Sequence, residues 1–225
     1  SLKCYNDPIR KNMASIKIAT LNCRGLMSPA KRRRLNLYVK QHRVDILLLQ
    51  ETHVADNSLM TEIANEWGMR GYWSLGSYQS KGVAILFKQS LNITHNCHFR
   101  DSDGRLVVVN MKMGDENFRL INIYAPNKAR ERYNFFKAVE DRLHAPGIRV
   151  LVAGDFNCVE DASLDRITTP GNRTVFYDIK LLTEWSRIYA LEDVFRRLHP
   201  QLRVMTWRAG NVAARLDRFY MNADT

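Results

Sequence analysis

Between Ile16 and Tyr220 the chain repeats one alternation: a short apolar run, a polar exit, then helical spacing or another apolar run. Apolar runs of about four to eight residues bounded by turn signals are strands, and apolar residues at i, i+3, i+4 mark helices. That alternation leaves little room for anything but one α/β domain. Strands are expected at 16–21, 46–49, 83–87, 106–111, 118–124, 150–153, 203–207 and 215–220. Ser28-Pro29 reads as the cap and first residue of a helix with Leu35, Tyr38 and Val39 on one stripe. Further helices are expected at 127–144, stopped by Pro146-Gly147, and at 174–185. Strands that follow one another without a helix imply mixed sheets. No Gly-rich loop follows the first strand, which argues against a nucleotide cofactor.

Size and charge narrow the function before any motif is read. A chain of 225 residues suffices for one large domain, which would bury about 70–75% of its unfolded surface. With 45% hydrophobic and 25% charged residues it has the composition of a soluble globular protein. Its apolar runs fall far short of the roughly 18 residues a bilayer span requires, so no membrane association is expected. Lys and Arg number 34 against 23 Asp and Glu, and a net charge of +11 points to an anionic partner. The cysteines at 4, 23, 97 and 158 form no CxxC pair, which suits free thiols in a reducing compartment. The first residues are polar and mixed in charge, so no signal peptide is expected, and the sequons at Asn92 and Asn172 are expected to be inert. Met13-Ala14 is a candidate native start, with residues 1–15 a tail and 16–225 the domain.

The chemistry is written at the strand exits. The first strand runs into Asn22, the second into Gln50-Glu51-Thr52, another into Tyr124-Ala125-Pro126-Asn127, and another into Gly154-Asp155-Phe156-Asn157. In α/β folds, ligands bind outside the carboxyl ends of strands. A Glu, an Asp, two Asn and a Tyr gathered there suit a hard, oxygen-ligated cation beside an anionic substrate. Mg²⁺ takes one or two carboxylates and keeps several waters, whereas zinc would call for the His or Cys clusters that are missing here. Any one fragment has a bland reading as a loop turn; four in order are much harder to obtain by chance. Lys31, Arg32, Arg33 and Arg34 oppose the dipole of their helix, and either anion binding or a solvated face accounts for them.

These runs, with Leu21-Asn22-Cys23-Arg24-Gly25-Leu26, Leu49-Gln50-Glu51-Thr52-His53 and Arg215-Leu216-Asp217, resemble the endonuclease/exonuclease/phosphatase superfamily. More narrowly, the chain is similar to the apurinic-type endonuclease domain of LINE (non-LTR) retrotransposons, over about residues 16–225. The resemblance implies a four-layer α/β sandwich with two packed mixed β-sheets, DNase I-like. It implies Mg²⁺ (or Mn²⁺) held by Glu51, with Asn22 helping to position metal and phosphate. Asp155 and Asn157 would orient the attacking water and phosphate oxygens, and Tyr124 would bond the phosphate or leaving oxygen. Asp217 would orient a general-base histidine. Arg32, Asn127, Arg166, Thr206, Arg208 and Arg215 would face nucleic acid. The implied reaction nicks one strand of double-stranded DNA, leaving a 3′-hydroxyl that primes reverse transcription. A reverse transcriptase domain on the same natural polypeptide, made in the cytoplasm and acting in the nucleus, would use that end.

The superfamily pattern closes with Ser-Asp-His, usually some two dozen residues past the position of Asp217. Here the sequence stops eight residues later, at Thr225, and none of the histidines at 42, 53, 95, 98, 144 and 199 has that context. The natural polypeptide is expected to continue to it; the rival view is a noncatalytic nucleic-acid-binding domain. His53 reads better as a loop or DNA-facing side chain than as the base. A repair-type abasic endonuclease is the nearest enzymatic alternative. Repair enzymes carry a long insertion with aromatic wedges where Arg208–Ala214 alone separates Trp207 from Arg215. Trp207 suits core packing or stacking on DNA. Inositol-phosphate phosphatases, sphingomyelinases and deadenylases share the core; charge and cysteine pattern disfavour a secreted member without excluding RNA or phosphoinositide.

Overall fold

The computed structural model describes residues 3–5, 15–144, 146–167 and 177–222. The N-terminal half comprises β1 (Lys3–Tyr5), β2 (Ile18–Asn22), α1 (Pro29–Gln41), β3 (Ile46–Gln50), α2 (Asn57–Trp67), β4 (Met69–Ser74) and β5 (Val83–Lys88). Its strands form one sheet in the order β1-β2-β3-β5-β4, with β2 and β3 parallel and the other pairs antiparallel. Residues 3–5, expected in a tail, therefore extend the sheet. Local chemistry sets the helix ends: Ser28 Oγ accepts from Lys31 N at 3.4 Å ahead of Pro29, and Asp56 caps α2 at Leu59 N, 2.9 Å. Gly68 ends α2 in the left-handed region at φ 63°.

The C-terminal half holds β6 (Thr94–Arg100), β7 (Leu106–Met113), β8 (Glu116–Tyr124), α3 (Ala129–Glu140), β9 (Arg149–Asp155), α4 (Ala162–Asp165) and β10 (Arg166–Ile167). It continues with α5 (Tyr177–Tyr189), β11 (Leu191–Asp193), α6 (Val194–Leu198), β12 (Trp207–Ala209), β13 (Val212–Ala214) and β14 (Asp217–Asn222). A second large sheet runs β11-β14-β9-β8-β7-β6, in which β8 and β9 are parallel. A small sheet, β10-β13-β12, carries the Gly210-Asn211 turn. The expected helix at 174–185 is observed from Tyr177 to Tyr189, and 174–176 lie outside the described residues. The strand expected at 203–207 exists only from Trp207. Thr206 instead spends its hydroxyl accepting from Leu216 N and Asp217 N at 3.0 and 3.1 Å, and the last large strand starts at Asp217. Among the described residues no helix is long and apolar enough to cross a membrane.

Strand alternation divides the apolar side chains into three layers. Ala19, Leu47, Leu49 and Leu86 meet Val39, Ile63 and Trp67 of α1 and α2. Ile121, Ile123 and Val152 meet Phe136, Val139, Leu182 and Trp185 of α3 and α5. Between the sheets lie Ile18, Ile46, Leu48, Ile85, Leu120, Leu151 and Phe219. The result is a helix–sheet–sheet–helix sandwich, four layers deep. Gly154, one residue before a strand exit, lets β9 lie close against β8. Its φ is +137°, and a Cβ there would lie 2.0 Å from Ile123 O, a backbone atom of the paired strand. Gly154→Ala is expected to destabilise the fold by about 3 kcal/mol, read from urea denaturation.

Candidate active site

The middle layer changes character along the strands. On β2 the inward row is Ile18, Thr20, Asn22; on β3 it is Ile46, Leu48, Gln50. On β8 it is Leu120, Asn122, Tyr124, and on β9 Leu151, Ala153, Asp155. Each row turns polar at its carboxyl end, and β14 enters antiparallel with Asp217 opposite Asp155. Tyr124 flanks Asp155 on the other side. The period of two thus brings the exits of both sheets to one end of the sandwich.

Glu51 breaks that period. Gln50 points inward, so a continuing strand would send Glu51 outward; a φ of +51° turns it back. Asn22 Nδ2 donates to Glu51 Oε1 at 2.7 Å and to Asp155 Oδ2 at 3.0 Å, joining the two sheets. Asn157 N donates to Asp155 Oδ1 at 2.9 Å, while its side chain donates to Ala125 O at 2.7 Å. Arg24, His53 and Asn157 also have positive φ, at 48°, 54° and 50°. Such backbone costs about 1–3 kcal/mol per residue and gathers at functional sites.

The electrostatics are those of crowded negative charge. Burial, then the Asp217 carboxylate and more weakly Glu51, push the Asp155 carboxyl up to about 7, against the bonds from Asn22 and Asn157. Burial, then Glu51 and Asp155, raise the Tyr124 phenol, so it stays a proton donor at neutral pH. Arg105 opposes this from 4.9 Å over the Tyr124 ring. His53 Nε2 lies 3.7 Å from Glu51 Oε2. Carboxylates held together against their own repulsion fit a cation. Among the described residues no three His, Cys, Asp or Glu side chains form a complete cage. A hard ion that takes one or two carboxylates and keeps its waters needs none.

The residues expected to face nucleic acid separate into two groups. Arg208 and Asn127 are exposed and Arg166 is half-buried. Arg32 is buried instead, donating to Glu62 and Glu66 and to the carbonyls of Leu26 and Met27. Arg215 is buried between Asp165 and Asp193, at 2.7 Å from each. Neither guanidinium is placed to meet a phosphate, and Thr206 holds the backbone of 216 and 217. Of the basic run, Arg33 and Arg34 are the exposed members, whereas Lys31 Nζ donates to Arg24 O at 2.6 Å. Gln50 stands in a strand-exit motif with no role assigned to it there, and Asn122 and Thr20 in none; behind the site Gln50 donates to both of them. A polar residue at an inward strand position was the available signal.

Comparisons place this geometry. The chain is similar to the Transposon TX1 uncharacterized 149 kDa protein of Xenopus laevis, 27% identical over 215 residues, 93% of this chain but 16% of that protein. DNA repair nuclease APEX1 of Danio rerio is 28% identical over 252 residues, covering 97% of this chain and 79% of its own length. Among solved structures, AP endonuclease LMAP from Leishmania major superposes with a TM-score of 0.75 at 20% identity, covering 92% of this chain and 79% of that one. The Xenopus laevis APE2 catalytic domain gives 0.72 at 22% identity, over 91% and 82%. At these identities the superpositions establish the fold, a DNase I-like sandwich. The sequence model of the Endonuclease/Exonuclease/phosphatase family matches residues 19–225, and the chain belongs to that family.

Proposed function

We propose that this chain is a divalent-cation-dependent DNA endonuclease of the LINE retrotransposon type. In this reading it nicks one strand of double-stranded DNA to leave a 3′-hydroxyl. A reverse transcriptase domain on the same polypeptide extends that end in the nucleus. The observation that carries the chemistry is the Asn22 amide bonded to both Glu51 and Asp155 across the two sheets. The retrotransposon reading draws on the transposon relative and on the short β12–β13 hairpin, which leaves no room for a long insertion between Trp207 and Arg215.

In-line attack on a phosphodiester builds negative charge on the phosphoryl and leaving oxygens. Mg²⁺ or Mn²⁺, held by Glu51 with Asn22 beside it, supplies the offsetting positive charge when bound. Asp155, steadied by the Asn157 N–H, orients the water opposite the leaving group. Tyr124, kept protonated, donates a hydrogen bond to the phosphate or leaving oxygen. Asp217, beside Asp155 in the register, would orient a general-base histidine. Arg208, Asn127 and the exposed cations of α1 contact phosphates and position the duplex without reading sequence.

Supercoiled plasmid with Mg²⁺ tests this. Nicked circles are expected, with ends that a DNA polymerase extends without phosphatase treatment, and Glu51→Ala is expected to abolish them. Binding without nicking would overturn the enzyme. The similarity to APEX1 favours a second reading, abasic-site repair, and strong preference for an abasic duplex over plasmid would establish it in place of the first.

A further inference from the structure

Behind the site a fully buried polar bridge crosses the middle layer between the sheets. Gln50 and Asn122 are wholly buried, as is Thr20. Asn122, on the second sheet, donates through Nδ2 to Leu49 O at 2.9 Å and Ala84 O at 2.8 Å, both on the first. Its Oδ1 accepts from Gln50 Nε2 at 2.6 Å, and Gln50 Nε2 also donates to Thr20 Oγ1 at 3.0 Å. Gln50 directly precedes Glu51. Asn122 lies one inward position before Tyr124, and its register partner Ala153 lies one inward position before Asp155.

An apolar pair would be the simpler filling for this layer. Buried amides must recover the cost of leaving water, and Gln50 Oε1 has no donor among the described residues. What amides add is direction. Apolar contact is non-directional and tolerates sliding of one face over the other, whereas a hydrogen bond sets distance and angle. A site split between two sheets depends on that offset, since reacting groups must be held within about 0.5 Å.

We propose that Gln50 and Asn122 are positioning residues that set the offset between the two halves of the site. The inference rests on the endonuclease reading above and deepens it: Glu51 and Asn22 come from one sheet, Tyr124, Asp155 and Asp217 from the other. Acting through these residues, the bridge governs turnover and leaves DNA binding alone.

The test is the double variant Gln50→Leu/Asn122→Leu, which removes both partners together and leaves neither amide orphaned. Its thermal melting is expected to stay near wild type, and the Kd for duplex measured in EDTA to stay within about twofold. The kcat for plasmid nicking is expected to fall about 10–100-fold, the scale of a misplaced reacting group. A wild-type kcat in the double variant, or a kcat that falls only in proportion to a loss of melting temperature, would make the bridge a matter of stability alone and overturn the inference. Should the double variant fail to fold, Thr20→Val decides: it deletes one acceptor of Gln50, and a kcat equal to wild type would likewise overturn it. Failure of the wild-type chain to nick strikes the endonuclease reading itself, so the two failures are distinguishable.

Discussion

Asp155→Asn is expected to abolish nicking while making the metal-free protein harder to melt at pH 8. Under the proposed chemistry the loss of activity, on the order of 10²–10³-fold, follows from removing the carboxylate that would orient the attacking water. The gain in stability follows from the repulsion that holds the Asp155 carboxyl up at about 7, with burial first and Asp217 and Glu51 behind it. The unfolded carboxyl releases its proton near its ordinary value of 3.8, and the folded one keeps it to about 7. Through that window the folded state binds more protons, so stability falls as pH rises, and the deficit is complete above it. Asn removes the charge and flattens the profile. It also loses one accepted bond, worth about 1 kcal/mol, because its amide nitrogen cannot accept from Asn22. The net gain is on the order of 1–3 kcal/mol, several degrees of melting temperature in a chain this size. Differential scanning calorimetry from pH 4 to 8 without divalent ions measures both profiles. A variant that melts below wild type at pH 8 would show that the carboxylates are not held against their own repulsion.

Arg215→Ala is expected to cost the fold about 3–5 kcal/mol, because it leaves buried carboxylates without their principal cation. Arg215 Nε and Nη2 donate to the two oxygens of Asp165 at 2.7 Å each, and Nη1 lies 2.7 Å from Asp193. Burial alone would push the Asp165 carboxyl up; Arg215 overrides it and leaves it below the ordinary range. That contribution is present at neutral pH and lost as pH falls through the depressed value, so the variant should differ least from wild type in acid. A drop in melting temperature of roughly 10 °C at pH 7 is the expected size. For the variant that remains folded, the dependence of DNA affinity on salt should match wild type, since no phosphate contact has been removed. A shallower salt slope with unchanged melting would return Arg215 to the DNA surface.

What could be read in the sequence followed from periodicity. Ile46–Leu49 is apolar throughout and became a central strand covered on both faces; the exits at Asn22, Tyr124 and Asp155 fell where alternation put them. β6, Thr-His-Asn-Cys-His-Phe-Arg, was illegible because an edge strand with one face in water needs few apolar residues. Residues 203–206 looked like a strand, yet Thr206 uses its side chain to bind another segment's backbone. Arg32 and Arg215 were misjudged for a related reason. Their partners Glu62, Glu66 and Asp165 stand 30 to 50 residues away, where no local pattern shows them. Gln50 and Asn122 are 72 residues apart, and the turn that returns Glu51 to the site is a backbone property of one residue.

Each large sheet contains one parallel pair, β2–β3 and β8–β9, and the carboxyl ends of the two pairs meet at the site. Neither half of the chain owns it. A folding intermediate with only one sheet formed would hold half the donors and no place for a scissile phosphate between them. Under the proposed chemistry a nascent or half-assembled chain is therefore harmless to DNA, and cutting power arrives in a single step when the sheets dock. Nuclease activity would then report the last event of folding, and two separately made halves would be silent until mixed.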